Sequence, residues 1–170
     1  PPPQESHSVH LNGMDQYVYV PAVASVVGIS LWLKIDSVQP SAKQYLLDAR
    51  YGAHNDAYVN NIEIGLFWVR LYIDGDSDAA VESAGGERHG VRWARLTEKV
   101  TGRWAHVHIE AARAFTDDVN IMARTSADNT EPGYTPGCLA GSLAQIYMWD
   151  RPLDSFALSV LQAGFDQVVP

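Results

Sequence analysis

The sequence predicts an all-β fold, a two-sheet antiparallel β-sandwich with one short C-terminal helix. Three observations predict it: runs with the two-residue periodicity of strands recur, turn-forming residues separate them, and a helical pattern occurs near the end. A length of 170 residues with 46% hydrophobic residues suits one globular domain with its own core. We interpret residues 1–170 as a single domain, and its proline-rich ends lead us to expect that it belongs to a larger protein.

The segment 28–36 is the clearest strand. Its residues alternate between an apolar and a polar side, as in a strand with one buried face. The apolar side consists of Ile29, Leu31, Leu33 and Ile35. Further strands are predicted at residues 17–20, 44–49, 62–73, 91–96, 104–111, 119–124 and 143–149. Turns that need a positive or fixed φ are predicted at Asn12-Gly13, Asp74-Gly75, Gly85-Gly86 and Pro132-Gly133.

The C-terminal segment carries the helical pattern. Asp154 suits an N-cap, because its side chain can accept a hydrogen bond from a backbone N–H of the first turn. Gly164 suits the position where the helix ends. The predicted apolar stripe consists of Phe156, Val160, Leu161 and Ala163.

The chain is acidic, with a formal net charge of −8 and a pI near 5.0. Binding to nucleic acid or anionic lipid draws mainly on Lys and Arg, so neither is expected as a partner. No run of 18 apolar residues is present, and we expect no direct membrane insertion. Cys138 is the only cysteine, which excludes a disulfide within the chain.

Several segments, taken in their order, carry a resemblance to a known family. They are LNGMDQYVYVP, ISLWLKID, QYLLDAR, GRWAHVHIEAA and GSLAQIYMWDRPLDSFALSVLQAG. The order resembles the laminin-G-like, concanavalin A-like jelly-roll family, from its opening hairpin to its closing strand and helix. The most specific segment is similar to the family's Gly-x-Trp-x-His-Val strand through Gly102, Trp104, His106 and Val107.

The resemblance implies a jelly-roll sandwich that binds a glycan or a protein, on the cell surface or outside the cell, in some cases with calcium. We therefore expect a non-catalytic recognition module that works beside other domains of its parent chain. The alternative is a scaffolding domain that binds protein and no carbohydrate. Ala144 and Gln145 depart from the family's Asp-Glu, which weakens a calcium site carried over from it.

A second hint of calcium is the run of alternating carboxylates at Asp74, Asp76 and Asp78. Hard oxygen ligands that converge in this way suit a hard cation. Ala79 and Gly85 stand where an EF-hand loop needs Gly and Glu, so that loop is excluded. A solvated acidic hairpin tip is the alternative interpretation.

Trp93 is the predicted ligand contact, because charged residues surround it whereas the other tryptophans suit a sandwich core. Arg92 and Arg95 flank it and could bind a carboxylate or phosphate through their planar guanidinium groups. Alternatively, these arginines are the exposed side of a protected edge strand. In a glycan site, Asn120, Asn129 and Gln145 would have to converge with Trp93 on one surface.

His106, His108 and Glu110 lie at two-residue spacing and so share one strand face. Two imidazoles and a carboxylate could bind zinc, but a structural role on a half-solvated face is the preferred interpretation. A glycoside hydrolase or lyase would need Glu63, Glu110 or Asp48 to pair with another carboxylate. No Glu-x-Asp-x-Glu strand and no Gly-x-Ser-x-Gly elbow is present, and we predict that the domain is not an enzyme.

Overall fold

The structure, a computed structural model, describes residues 7–37, 44–49, 55–58, 68–80, 100–123 and 137–163. Its strands are β1 (Val9–Asn12), β2 (Val18–Ile35), β3 (Tyr45–Ala49), β4 (Asn55–Tyr58), β5 (Trp68–Ile73), β6 (Asp76–Ala80), β7 (Ala105–Ile121) and β8 (Ala140–Trp149). Helix α1 (Ser155–Ala163) follows them. The fold is a β-sandwich of two antiparallel sheets with a short C-terminal helix, so the predicted fold class is confirmed.

The two longest strands, β2 and β7, connect the sheets. They pair with each other from Val18↔Ile121 to Leu33↔Ala105, with register shifts between Val20 and Gly28. Such irregularities bend a strand pair. In the first sheet the strand order is β1-β8-β2-β7-β5-β6. The second half of β2 and the first half of β7 belong to this sheet. In the second sheet it is β2-β7-β3-β4, through the remaining halves.

The main core contains the apolar sides of the long strands. All four residues of the predicted apolar side of 28–36 are fully buried. They pack in one cluster with buried residues of β7 from both sheets, among them Val107, Phe115 and Val119. The polar side of the same strands therefore points away from this core.

Two pairs of predicted strands are single strands in the structure. The predicted strands 17–20 and 28–36 contribute residues 18–20 and 28–35 to β2, and the predicted strands 104–111 and 119–124 contribute residues 105–111 and 119–121 to β7. The register shifts explain the difference, because a bulged strand loses its strict alternation. Of the predicted strand 62–73, residues 68–73 are described and form β5, whereas 91–96 lies outside the described residues.

The turn at Asp74-Gly75 is confirmed, with φ values of 52° and 81° between β5 and β6. Gly13 has a φ of 72° at the turn that follows β1, as predicted. The predicted turns at Gly85-Gly86 and Pro132-Gly133 lie outside the described residues.

Asp154 caps α1, because its Oδ1 accepts a hydrogen bond from the backbone N–H of Ala157 at 2.8 Å. The predicted stripe is wrong at Phe156, which is 74% exposed, and at Ala163, which is also exposed, and it missed the buried Leu158. The predicted stripe and the buried residues both have helical spacing, so spacing alone does not decide which of them faces the sheet. Packing against the sheet decides the rotation of α1. Gly164 lies outside the described residues. No helix in the described ranges is long and apolar enough to span a membrane.

Candidate functional site

The outer face of the first sheet brings together a serine, a histidine and a glutamate. Strand alternation points Ser30 away from the core, and the register places Ser30 opposite His108 and Gly28 opposite Glu110. Ser30 and His108 are fully buried, and Glu110 is 2% exposed. We call Ser30, His108 and Glu110 the buried triad.

Hydrogen bonds through the buried triad run in one direction. The indole N–H of Trp149 donates to Ser30 Oγ at 2.8 Å. Ser30 Oγ lies 2.7 Å from His108 Nδ1, and His108 Nε2 lies 3.2 Å from Glu110 Oε1. An ionised carboxylate can only accept, so Nε2–H donates to Glu110. In a neutral imidazole Nδ1 is then an acceptor, so the Ser30 hydroxyl donates to Nδ1 while it accepts the indole N–H.

The carboxylate of Glu110, at the end of this series of hydrogen bonds, is the acceptor in each bond described for it. Its Oε1 also accepts the backbone N–H of Leu153 at 3.1 Å, and its Oε2 accepts Arg70 at 3.3 Å. Burial by itself raises the pKa of Glu110. The hydrogen bonds from His108 and Leu153 and the charge of Arg70 outweigh burial and hold the pKa below its usual 4.5.

The C-terminal segment, which here means residues 153–163, covers the buried triad. Leu153 and the helix residues Leu158 and Leu161 form a second, smaller cluster. They pack there against Tyr72, Tyr147 and Trp149. The triad has the composition of a nucleophilic Ser–His–acid set, but its hydroxyl and imidazole have no exposed surface. In the folded domain, the triad connects β2, β7 and the C-terminal segment to one another.

The face of His106 and Glu110 is closed, which corrects the expectation of a half-solvated strand face. His106 is 2% exposed and packs edge-on to Trp32, with 5.6 Å between ring centroids. Burial, and then the neighbouring His108, lower the pKa of His106 to about 4, although Asp74 acts in the opposite direction. Both ring nitrogens of His108 already have partners in the triad, and the arrangement does not fit the zinc hypothesis.

The predicted calcium residues begin in the β5–β6 turn. Asp74 Oδ1 accepts the backbone N–H of His106 at 2.9 Å, and Oδ2 lies 3.5 Å from Arg103. Asp76 and Asp78 belong to strand β6, where the placement of their side chains is not described. Across the described ranges, no group of three or more His, Cys, Asp or Glu side chains is arranged to hold a metal ion.

Exposed aromatic residues lie on the second sheet. Val18 and Val20 pack against the main core, so Tyr19 between them points outward, and it is 52% exposed. Its hydroxyl donates to Asp118 Oδ2 at 2.8 Å. Tyr17, directly before β2, is 46% exposed. We call Tyr17, Tyr19 and Asp118 the tyrosine face.

Asn120, a predicted ligand residue, lies beside the tyrosine face but below the surface. It pairs with Tyr19 on one side and with Asp48 on the other. Asn120 is 4% exposed, and within the described part of the chain its Oδ1 meets no hydrogen-bond donor. The carboxylates of Asp48 and Glu110 do not form a dyad, because they lie on different sheets.

The other predicted ligand residues are not brought to this face. Gln145 is exposed in β8 with a φ of 50°, next to Ala144, which pairs with Trp32 on the first sheet. Asn120 belongs to the second sheet, so the structure separates it from Gln145. Trp93 with Arg92 and Arg95 lies outside the described residues, as do Glu63 and Asn129.

Sequence reasoning missed Ser30 and the two tyrosines. The tyrosines carried a signal, because they alternate with valines in the predicted strand 17–20. Ser30 carried none, since its contact with His108 depends on which residues of β2 and β7 lie opposite each other.

Comparison of the chain with protein-family models, with curated proteins and with solved structures finds no match. Its function is therefore inferred from its own residues.

Proposed function

We propose that this domain is a non-catalytic recognition module that binds a neutral glycan at the tyrosine face. The observation that carries the proposal is Tyr19, an outward-facing aromatic ring that is half-exposed and tied to Asp118 by a hydrogen bond. Flat aromatic faces stack on the C–H faces of sugar rings, and neighbouring polar groups bond the hydroxyls.

The position of Tyr19 favours binding in a second way. It lies on β2, which pairs with β7 along this part of the sheet, and its hydroxyl is held by Asp118. A side chain that is already ordered loses less conformational entropy when a ligand binds. Tyr17 adds a second exposed ring nearby in the chain.

Charge supports a neutral ligand over an anionic one. The formal net charge of the chain is −8, and a carboxylate belongs to the tyrosine face itself. Carboxylates accept hydrogen bonds from sugar hydroxyls but repel sulfate or uronate groups. The resemblance to laminin-G-like and concanavalin A-like domains agrees with glycan binding, and with it we propose a cell-surface or extracellular location.

The non-catalytic part of the proposal is supported by the burial of the buried triad. A serine nucleophile has to reach its substrate, and Ser30 is fully buried beneath Trp149 and the C-terminal segment. A retaining glycosidase would need two carboxyl groups about 5 Å apart. Asp48 and Glu110 belong to different sheets.

The edge of the second sheet at β2 argues against the alternative of a scaffolding domain that binds protein. Among the described strands, none pairs with residues 18–26 of β2 on the side away from β7. Pro21 lacks a backbone donor there, and the register shifts from Val20 onward disturb the edge. Both features protect a sheet from strand addition by another protein.

The test is a glycan array probed with the wild-type domain, with Tyr19→Ala and with Phe156→Ala. Phe156 is the matched control, because it is an exposed aromatic residue on α1. We expect wild-type binding to neutral glycans that Tyr19→Ala weakens by about tenfold or more, which is about 1.4 kcal/mol. Phe156→Ala should bind like wild type.

Two outcomes would contradict the proposal. One is the absence of glycan binding, which would shift the inference to a protein partner. The other is binding that Tyr19→Ala leaves unchanged, which would place the site elsewhere. A parallel array with chelator shows whether binding depends on calcium.

A further inference from the structure

We propose that the buried triad is an acid-sensitive latch, which holds the C-terminal segment on the first sheet and releases it when Glu110 is protonated. The latch is independent of the proposed glycan site, since it lies on the other sheet. Its hydrogen bonds join Trp149 on β8, Ser30 on β2, His108 and Glu110 on β7, and Arg70 on β5. These four strands are neighbours in the sheet.

The latch depends on the charge of Glu110, because the three groups described as bonded to its carboxylate are all donors. Oε1 accepts His108 Nε2–H and the N–H of Leu153, and Oε2 accepts Arg70. Protonation removes the negative charge that strengthens all three hydrogen bonds, and the added hydrogen is itself a donor among donors. The neutral carboxyl therefore holds its partners less tightly, and a buried group left without its partner is costly.

The C-terminal segment is the part that this change releases. It contacts the latch directly through the backbone N–H of Leu153, immediately before the N-cap of α1. Apolar contact with the sheet comes from the small cluster around Leu158 and Leu161, which is separate from the main core. A nine-residue helix is too short to persist without such contacts.

Release therefore leaves the sandwich folded and opens one unit of the domain. It uncovers three aromatic side chains that α1 covers in the closed state, Tyr72, Tyr147 and Trp149. It also gives solvent access to Ser30 and His108, which are fully buried while α1 is docked.

The groups around the latch set the pH at which it opens. Arg70 and Tyr72 face it from β5, Tyr147 from β8, and Asp154 follows Leu153 in the chain. His106 precedes it on the same face of β7. The donors to Glu110 hold its pKa below 4.5, so the latch stays closed in neutral and mildly acidic solution and opens in stronger acid.

The experiment compares amide hydrogen exchange in α1 with exchange in β2 and β7, from pH 7 to pH 3 and corrected for intrinsic rates. In the wild-type domain we expect protection of α1 to fall in acid while the long strands remain protected. Glu110→Gln should lose α1 protection at neutral pH, because its amide nitrogen brings another donor to the site. Asp150→Asn is the matched control, since Asp150 is an exposed acid near the same segment.

Arg70→Gln provides a second variant if Glu110→Gln fails to fold. Arg70 is 53% exposed, so its replacement leaves the cores untouched. Losing its charge should move the α1 transition upward by about half a pH unit. The latch proposal would be overturned if α1 lost its protection only at the pH where β2 and β7 also lose theirs. It would also be overturned if the α1 transition of Arg70→Gln occurred at the same pH as in the wild-type domain.

Discussion

Acid should destabilise this domain by protonating His106, which is buried in the folded chain. The pKa of His106 is lowered from 6.5 to about 4 in the folded chain, mainly by burial. The unfolded chain therefore takes up a proton near pH 6.5, whereas the folded chain does so near pH 4. His106 contributes its full stability above pH 6.5 and loses it as the pH falls toward 4.

The same pKa values give the magnitude. At 1.36 kcal/mol per pKa unit, the difference between 6.5 and 4 corresponds to about 3 kcal/mol. Between pH 7.5 and pH 4.5, linkage gives a loss of about 2–3 kcal/mol in the free energy of unfolding. Small domains are stable by about 5–15 kcal/mol, so this loss is a large part of the whole.

Urea unfolding at several pH values measures this loss directly. His106→Phe removes the titrating group and keeps an aromatic ring against Trp32. We expect the wild-type domain to lose about 2–3 kcal/mol more than His106→Phe between pH 7.5 and 4.5. His10→Gln is the control for the loss of a histidine at the surface, where His10 lies exposed beside Asp36. Equal pH dependence in wild type and His106→Phe would refute the reasoning.

Two further predictions concern packing around α1 and the buried triad. Gly28→Ala should cost about 1–3 kcal/mol, because a Cβ there would lie 2.8 Å from His108 Cε1; thermal unfolding with an unchanged midpoint would contradict it. Leu158→Ala should cost about 2–4 kcal/mol, since Leu158 is 2% exposed. Phe156→Ala on the same helix should change stability by less than about 0.5 kcal/mol, and similar losses in both variants would show that α1 is packed differently.

The fold class could be predicted because its signals are local. Alternation of apolar residues in 28–36 fixed which side of β2 is buried, and the Asp74-Gly75 pair marked a turn that needs positive φ. The joining of strands into β2 and β7 could not be predicted in this way. Bulges interrupt the period between Val20 and Gly28, although the backbone pairing continues.

The candidate sites were less predictable, because they depend on contacts between distant segments. The sequence shows that His108 and Glu110 share a face, but Ser30 lies 78 residues from His108 in the chain. Only the pairing of β2 with β7 brings them within hydrogen-bonding distance. The burial of that face also depends on α1, whose rotation places Leu158 inward and Phe156 outward.

The outer faces of the two sheets differ in what a ligand can reach, and this difference underlies both proposals. On the first sheet, polar side chains such as His108 satisfy one another beneath α1, so a ligand could contact them only after α1 has moved. On the second sheet, Tyr19 presents its ring without any such movement. A domain that recognises a glycan at neutral pH should therefore use the second sheet. Glycan binding that Glu110→Gln abolishes and Tyr19→Ala spares would reverse this assignment.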